Sequence, residues 1–371
     1  LIDDPMIGAN VNKLRAWEGY QWCYTRRFDA PKLEPGQRAE LWFGGIDCLA
    51  DVWVNGKHAG SSADMLIERS FDVTDLIEQG GSNTVQVIIR PVVLGAQDHL
   101  LGSFSMGNFA TEESVYIRKA PHMYGWDIMP RLVSAGLWRG VELRTLNPAR
   151  FTDVNWVTTH VDTASRNVSL FVDFQTRLPF DQYDKAKVRF TLTRDGKEAY
   201  RGEQVLFAHA GRIVVNLEKA DLWWPRGYGE PALYEAKGEL IGADGQVLDT
   251  DVKRIGLRIV QLDLSDIHLP DERGKFCFIV NGEKIFVRGT NWVPLDALHS
   301  RDAAQYESAM KLVTDANCNM VRCWGGNVYE DTRFFDLCDE TGILVWQDFA
   351  MGCSFYSQRA DFLDQLREEV T

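Results

Sequence analysis

No stretch of this chain approaches the roughly 18 uninterrupted apolar residues that a membrane-spanning helix requires, so no such span is expected. Basic residues are also in deficit: 40 Lys and Arg face 53 Asp and Glu, a formal net charge of -13. Nucleic acid and anionic membrane surfaces both demand a basic face, so neither is expected as a partner, whereas a neutral substrate is compatible. The seven cysteines, at positions 23, 48, 277, 318, 323, 338 and 353, include no Cys-x-x-Cys pair. Scattered and odd in number, they read as mostly free, buried thiols rather than a disulfide framework or a zinc site. The seven histidines show no ligand spacing, and no metal or cofactor is expected. The chain begins at Leu1 with no basic-then-apolar leader, which leaves secreted, periplasmic, lysosomal and cytoplasmic placement all open.

What is present begins as β structure. Across 371 residues, enough for two or three cores, branched and aromatic residues alternate or concentrate at 37–43, 51–54, 57–60, 70–73 and 83–90. Asn55-Gly56 marks a tight hairpin, because both central residues of its turn need positive φ. A jelly-roll β-sandwich is expected over 1–149, with a long strand-poor insertion at 94–130 that carries Tyr116, Tyr124, Trp126 and Asp127. Seven further strands at 154–158, 169–174, 187–193, 203–207, 212–217, 233–240 and 247–255, with turns at Asp195-Gly196 and Asp244-Gly245, predict an immunoglobulin-like sandwich over 150–266.

After a polar linker at 270–274 the pattern changes. A lead-in hairpin turns at Asn281-Gly282, and three short apolar runs then each end in polar and tryptophan residues. These are 285–288 running into Gly289-Thr290-Asn291-Trp292, 320–323 into Trp324-Gly325-Gly326, and 343–345 into Trp346-Gln347-Asp348. Helices are expected at 303–316, with Asp302 as N-cap, and at 332–341, with Asp331 as N-cap and Gly342 as the left-handed stop. One more helical run covers 360–369. Strands alternating with helices mean a parallel sheet, and chemistry gathers at the carboxyl ends of its strands. Asn291, Trp292, Arg322, Trp324, Gln347 and Asp348 fall at those ends and suggest a polar pocket with aromatic walls.

Several strings make the chain similar to the β-mannosidases of glycoside hydrolase family 2: Val52-Trp53-Val54-Asn55-Gly56, Arg118-Lys119, Gly125-Trp126-Asp127, Gly136-Leu137-Trp138-Arg139, Leu222-Trp223-Trp224-Pro225, Arg322-Cys323-Trp324-Gly325-Gly326 and Trp346-Gln347-Asp348-Phe349. The resemblance covers essentially the whole chain and implies that residues 267–371 open a (β/α)8 TIM barrel. It also implies a retaining exo-glycosidase that removes terminal β-linked mannose from oligosaccharides, using two glutamates about 5 to 5.5 Å apart. In the family the acid/base sits in an Asn-Glu dipeptide, which does not occur here after the barrel begins. Both catalytic glutamates are therefore expected after Thr371, with no turnover by these residues alone. Three strand-helix units cannot close a barrel of about eight, so the rest of the barrel or a neighbouring chain is expected to cover the open edge.

The resemblance also implies roles. Asp127 would accept hydrogen bonds from a sugar hydroxyl and Trp126 would wall the subsite, the alternative being a loop merely anchored by a buried tryptophan. Arg322 would hold the nucleophile's carboxylate, or else form a structural ion pair. Trp324 would stack on a sugar face or pack in the core. Asp348 would bond a hydroxyl or cap a helix. Asn291, Trp292 and Cys353 are further candidates, Cys353 being equally readable as a small buried apolar residue. Ile128-Met129-Pro130 and Asn327 depart from the family's usual residues and bear on the shapes of their loops. Two other readings stand beside this one: a carbohydrate-binding protein without hydrolysis, and a family 2 enzyme for β-galactoside, β-glucuronide or β-glucosaminide.

Overall fold

The computed structural model describes residues 3–99, 111–265 and 274–370. The expected linker residues 270–273 lie outside that set. The first part is a sandwich. One antiparallel sheet runs Trp22–Asp29, Ser82–Arg90, Leu49–Val54, Lys57–Ser62, and the other runs Arg69–Asp72, Arg38–Phe43, Val141–Leu146. Strict alternation in 38–43 and 49–54 sends Leu41, Phe43, Val52 and Val54 inward, where they meet Ile46, Val87 and Ile89. Asn55 and Gly56 take φ of 50° and 77°, as the hairpin turn demands.

The second part has the expected seven strands. Arg150–Asp162, Asn167–Arg177 and Ala210–Leu217 form one sheet; Lys197–Val205, Lys187–Arg194, Leu233–Ile241 and Val247–Gly256 form the other. Val172, Phe174, Val188, Phe190, Leu192, Val215 and Leu240 fill the space between them.

The third part departs from expectation at its start. The run at 285–288 is not the first parallel strand: Ile285 ends an antiparallel hairpin with Cys277–Val280, which itself pairs with Val260–Asp263. The first parallel strand is Gly289–Trp292, and the sheet aligns Thr290 with Val321 and Val321 with Val345. The crossover between hairpin and sheet is fixed by Asn319, whose side chain accepts from Arg288 N at 2.9 Å and donates to Phe286 O at 3.0 Å. A second correction concerns the first helix. Residues 299–305 are a 3-10 turn, the helix proper is Tyr306–Asp315, and Asp302 does not cap it but is buried against His299. The second helix, Thr332–Thr341, has both expected signals: Asp331 accepts from Arg333 N and Phe334 N, and Gly342 is left-handed at φ 73°. Ala360–Val370 forms the last helix.

Tyr306, Met310, Val313, Phe334 and Leu337 pack the two helices onto one face of the parallel sheet. Trp223, fully buried, joins the second sandwich to the base of that sheet through Val280, Ile285, Met320 and Leu344, with its Nε1 donating to Asp339 O at 2.9 Å. Trp346 is exposed on the other face of the sheet, Phe286, Phe349 and Phe355 are exposed outside its strands, and the outer edges of Gly289–Trp292 and Leu344–Gln347 have no strand partner among the described residues. No described helix is long and apolar enough to cross a membrane.

Candidate functional site

Successive side chains of a strand point to opposite faces, and this alternation sorts the candidates. Asn291, Arg322 and Trp346 are register neighbours on the face away from the helices. Arg322 Nη1 donates to Asn291 Oδ1 at 3.3 Å, while its Nε and Nη2 donate to the two carboxylate oxygens of Asp348 at 3.2 and 2.5 Å. Asp348 also accepts from Gly325 N at 3.2 Å. The fork geometry that a lysine lacks is therefore in use. It fixes one edge of the guanidinium and leaves Arg322 44% exposed on the open face.

Trp292 is one residue out of phase and faces the other way. It is buried against Phe334 and Tyr306, and its Nε1 donates to Glu330 Oε1 at 2.9 Å. It is core, not pocket wall, which corrects its place among the candidates. Cys353 is exposed at φ 33°, so the buried reading of it fails.

Trp324 and Trp126 come together from different parts of the chain, with ring centroids 5.1 Å apart and planes at 64°. The face of one against the edge of the other makes a corner. Gly326 permits it: a Cβ there would lie 1.9 Å from the Trp324 ring. The segment carrying Trp126 is a 3-10 turn at Pro121–Tyr124 followed by a tight reversal, in which Trp126 N donates to Met129 O at 3.0 Å. That reversal is the shape the Ile-Met-Pro departure takes, and it leaves Asp127 exposed at its tip. His122 N donates to Gly326 O at 3.1 Å, and Met123 and Tyr124 pack with Val328 and Ala350. The long insertion of the first sandwich thus reaches the loops at the carboxyl ends of the parallel strands.

Sequence reasoning missed a buried polar shell beneath these residues. Glu330 accepts from Trp292 Nε1, from Tyr306 Oη at 2.7 Å and from Asn327 Nδ2 at 2.9 Å; burial raises its pKa above the ordinary glutamate range, against the pull of the Tyr306 bond. The departure at Asn327 therefore supplies a donor to a buried carboxylate. Burial also pushes the Cys323 thiol up to about 12. His122 and His299 meet at 2.7 Å, and His299 Nδ1 lies 2.7 Å from Asp302 Oδ2. The His299–Asp302 spacing of three was a readable hint, but nothing in the sequence pairs His122 with a residue 177 positions away. Among the described residues no group of His, Cys, Asp and Glu is placed to hold a metal ion.

Residues 1–139 match the glycosyl hydrolase 2 galactose-binding domain-like family, and 149–258 match glycosyl hydrolases family 2. The chain is 33% identical over 376 residues to beta-mannosidase B of Aspergillus flavus, with all of this chain and 43% of that protein covered. It is 32% identical over 381 residues to beta-mannosidase B of Aspergillus niger, with the same coverage. Among solved structures, beta-D-mannosidase from Dictyoglomus thermophilum superposes with a TM-score of 0.88 at 30% identity, covering 100% of this chain and 45% of that one. The exo-chitosanase of Amycolatopsis orientalis shares the fold, with a TM-score of 0.66 at 20% identity over 93% of this chain and 37% of its own. The chain thus spans less than half the length of the relatives it matches.

Proposed function

We propose, from the chain's belonging to glycoside hydrolase family 2, that it forms the sugar-binding side of a retaining exo-β-mannosidase acting on terminal β-linked mannose, with both catalytic glutamates outside these 371 residues. The carrying observation is the Trp126–Trp324 corner beside the Asn291–Arg322–Asp348 cluster, two groups brought from separate domains to the carboxyl ends of parallel strands. On this reading 1–149 and 150–266 are the two sandwiches, and 267–371 opens a barrel whose remainder covers the exposed strand edges.

The geometry supports the following roles. Arg322 has five N–H donors, of which three are engaged by Asn291 and Asp348. The remainder are available to keep a nucleophilic carboxylate ionised and oriented. Trp324 supplies a plane for pyranose C–H groups, and Trp126 closes the corner. Asp127, exposed at the turn tip, accepts from a sugar hydroxyl.

The test is the full-length gene product on aryl β-mannoside, β-galactoside, β-glucuronide and β-glucosaminide. Preference for mannoside is expected, and D127A should lower kcat/KM about 10- to 150-fold, the equivalent of one charged hydrogen bond of 1.5 to 3 kcal/mol. Preference for another sugar, or binding without turnover, would overturn the assignment. Residues 1–371 alone should show no turnover.

A further inference from the structure

Asp302, His299 and His122 form a continuous buried chain that the sugar-binding reading does not use. Their relative exposures are 3%, 5% and 1%. Asp302 Oδ1 accepts from Asp296 N at 3.1 Å, which pins the carboxylate to its own loop, and its Oδ2 faces His299 Nδ1 at 2.7 Å. A carboxylate only accepts, so His299 Nδ1 carries the proton and, in a neutral ring, Nε2 is an acceptor. The 2.7 Å contact with His122 Nε2 then requires His122 to donate from that nitrogen. His122 Nδ1 is left as a bare lone pair, buried and without a hydrogen-bond partner among the described residues. With both rings neutral, each tautomer thus follows from the hydrogen bond its neighbour makes.

The chain joins two loops that meet at the candidate site. Asp302 and His299 sit on the 3-10 turn after the first parallel strand; His122 sits on the segment whose far end is Trp126. The backbone of His122 is bonded to Gly326, whose lack of a side chain admits the Trp324 ring. We propose that Asp302, His299 and His122 are positioning residues: together they hold segment 121–126 on the barrel loops so that Trp126 meets Trp324, and they release it in acid. The inference rests on the sugar-binding reading only where it concerns substrate.

Acid release follows from the surroundings. Lys119 lies on the same segment, held by Asp47 and Ser134; His299 is in contact; Asp302 lies behind His299; and Glu330, on the loop after the second strand, interacts with His299 and Asp302. Burial, then the nearness of His299 and Lys119, drive the His122 pKa well below its ordinary value. In the unfolded or opened segment the ring titrates near 6.5. The open form therefore binds the extra proton first, so the closed arrangement is intact above about pH 6.5 and is lost progressively as pH falls towards the depressed pKa.

Amide hydrogen exchange on the full-length gene product reads this directly at His122, Met123, Gly125 and Trp126, whose N–H groups are bonded to Gly326, Ala120, His122 and Met129. Wild-type protection should fall by up to about tenfold per pH unit below about 6.5, one proton's worth of linkage. In H122Q, which can still donate to His299 but does not titrate, that slope should vanish while protection at pH 7.5 stays within about threefold of wild type. H122F, which cannot donate, should lose at least about tenfold protection at pH 7.5. If H122Q keeps the wild-type slope, or H122F keeps wild-type protection, the positioning role is wrong. The same variants assayed for sugar affinity separate the two claims. With β-mannoside as substrate, KM should rise for H122F and recover in H122Q with kcat little changed. Absence of β-mannosidase turnover in wild type overturns the functional reading and leaves the exchange result standing by itself.

Discussion

Arg118 tests whether buried charge locks the first sandwich to the last helix. Its guanidinium bonds Glu369 through Nε and, at 2.7 Å, through Nη2; both side chains are essentially inaccessible, at 1% and 0% exposure. Nη1 donates to Ala350 O at 3.2 Å, and Tyr329 Oη donates to the same Glu369 carboxylate at 2.8 Å. Removing one partner of such a pair strands a buried charge, which costs about 3 to 5 kcal/mol. At about 1.4 kcal/mol per tenfold, R118M should make the helix Ala360–Val370 open roughly two to four powers of ten more often. Removing both partners also removes both desolvation penalties, so R118M combined with E369L should be far more stable than the two single changes added together, and near or above wild type. The assay is amide exchange across that helix in wild type, both singles and the double, made in the full-length protein at pH 8. A double variant as unstable as the sum of the singles would refute the argument, because the pair would then not be coupled.

Three more predictions use the same neighbourhood and the site. Asp64 is fully buried, with one oxygen unpartnered, and burial followed by the charge of Glu369 raises its pKa to about 7; since the folded value exceeds the unfolded value of about 3.9, stability is fully present below pH 4 and is lost as pH rises through 7. D64N should abolish that decline, and urea melts at pH 4 and 8 that fall in parallel for both proteins would show the assignment wrong. G326A places a methyl in the Trp324 ring and should raise KM for the sugar by at least about tenfold with little change in thermal stability, since the ring is half-buried and can swing outward; an unchanged KM would remove Trp324 from the site. W292A should cost about 3 to 5 kcal/mol as a core truncation, whereas W292F, which keeps ring contact with Phe334 but strands one Glu330 bond, should cost about 1 to 3 kcal/mol and leave KM unchanged.

The parts of the fold legible in the sequence were those set by local physics. Asn55-Gly56, Asp195-Gly196 and Asn281-Gly282 all adopt the paired positive φ that such dipeptides favour, and Asp331 and Gly342 bound their helix as a cap and a stop should. Where the reading failed, a long-range contact outweighed the local signal. Residues 285–288 look like a strand, but the side chain of Asn319 takes up the backbone groups of Phe286 and Arg288 and ends the pairing there. That four-residue displacement places 289–292 inside the strand, where successive side chains alternate: Asn291 lies on the open face and Trp292 in the core. Asp302 has the composition of an N-cap, yet His299 captures it first. The tryptophan corner was half legible: both residues could be named, but the 5.1 Å meeting of Trp126 with Trp324 depends on a loop from a separate sandwich.

That loop explains why the molecule spends buried polar groups where apolar packing would be more stable. Within five residues the chain sends Arg118 to Glu369 on the last helix, Lys119 back to Asp47 and Ser134 in its own sandwich, and His122 to His299 on the first barrel loop. Apolar burial is non-directional and would let this segment slide over the barrel loops with little penalty. A one-residue slip would instead leave all three groups buried without partners, at about 1 to 3 kcal/mol for each unsatisfied donor or acceptor and more for the two charges. Three anchors on three different elements fix a rigid body. Trp126 and Asp127, four and five residues past the last anchor, inherit its position: the Trp126 ring meets that of Trp324 at 5.1 Å, and Asp127 stands exposed at the turn tip.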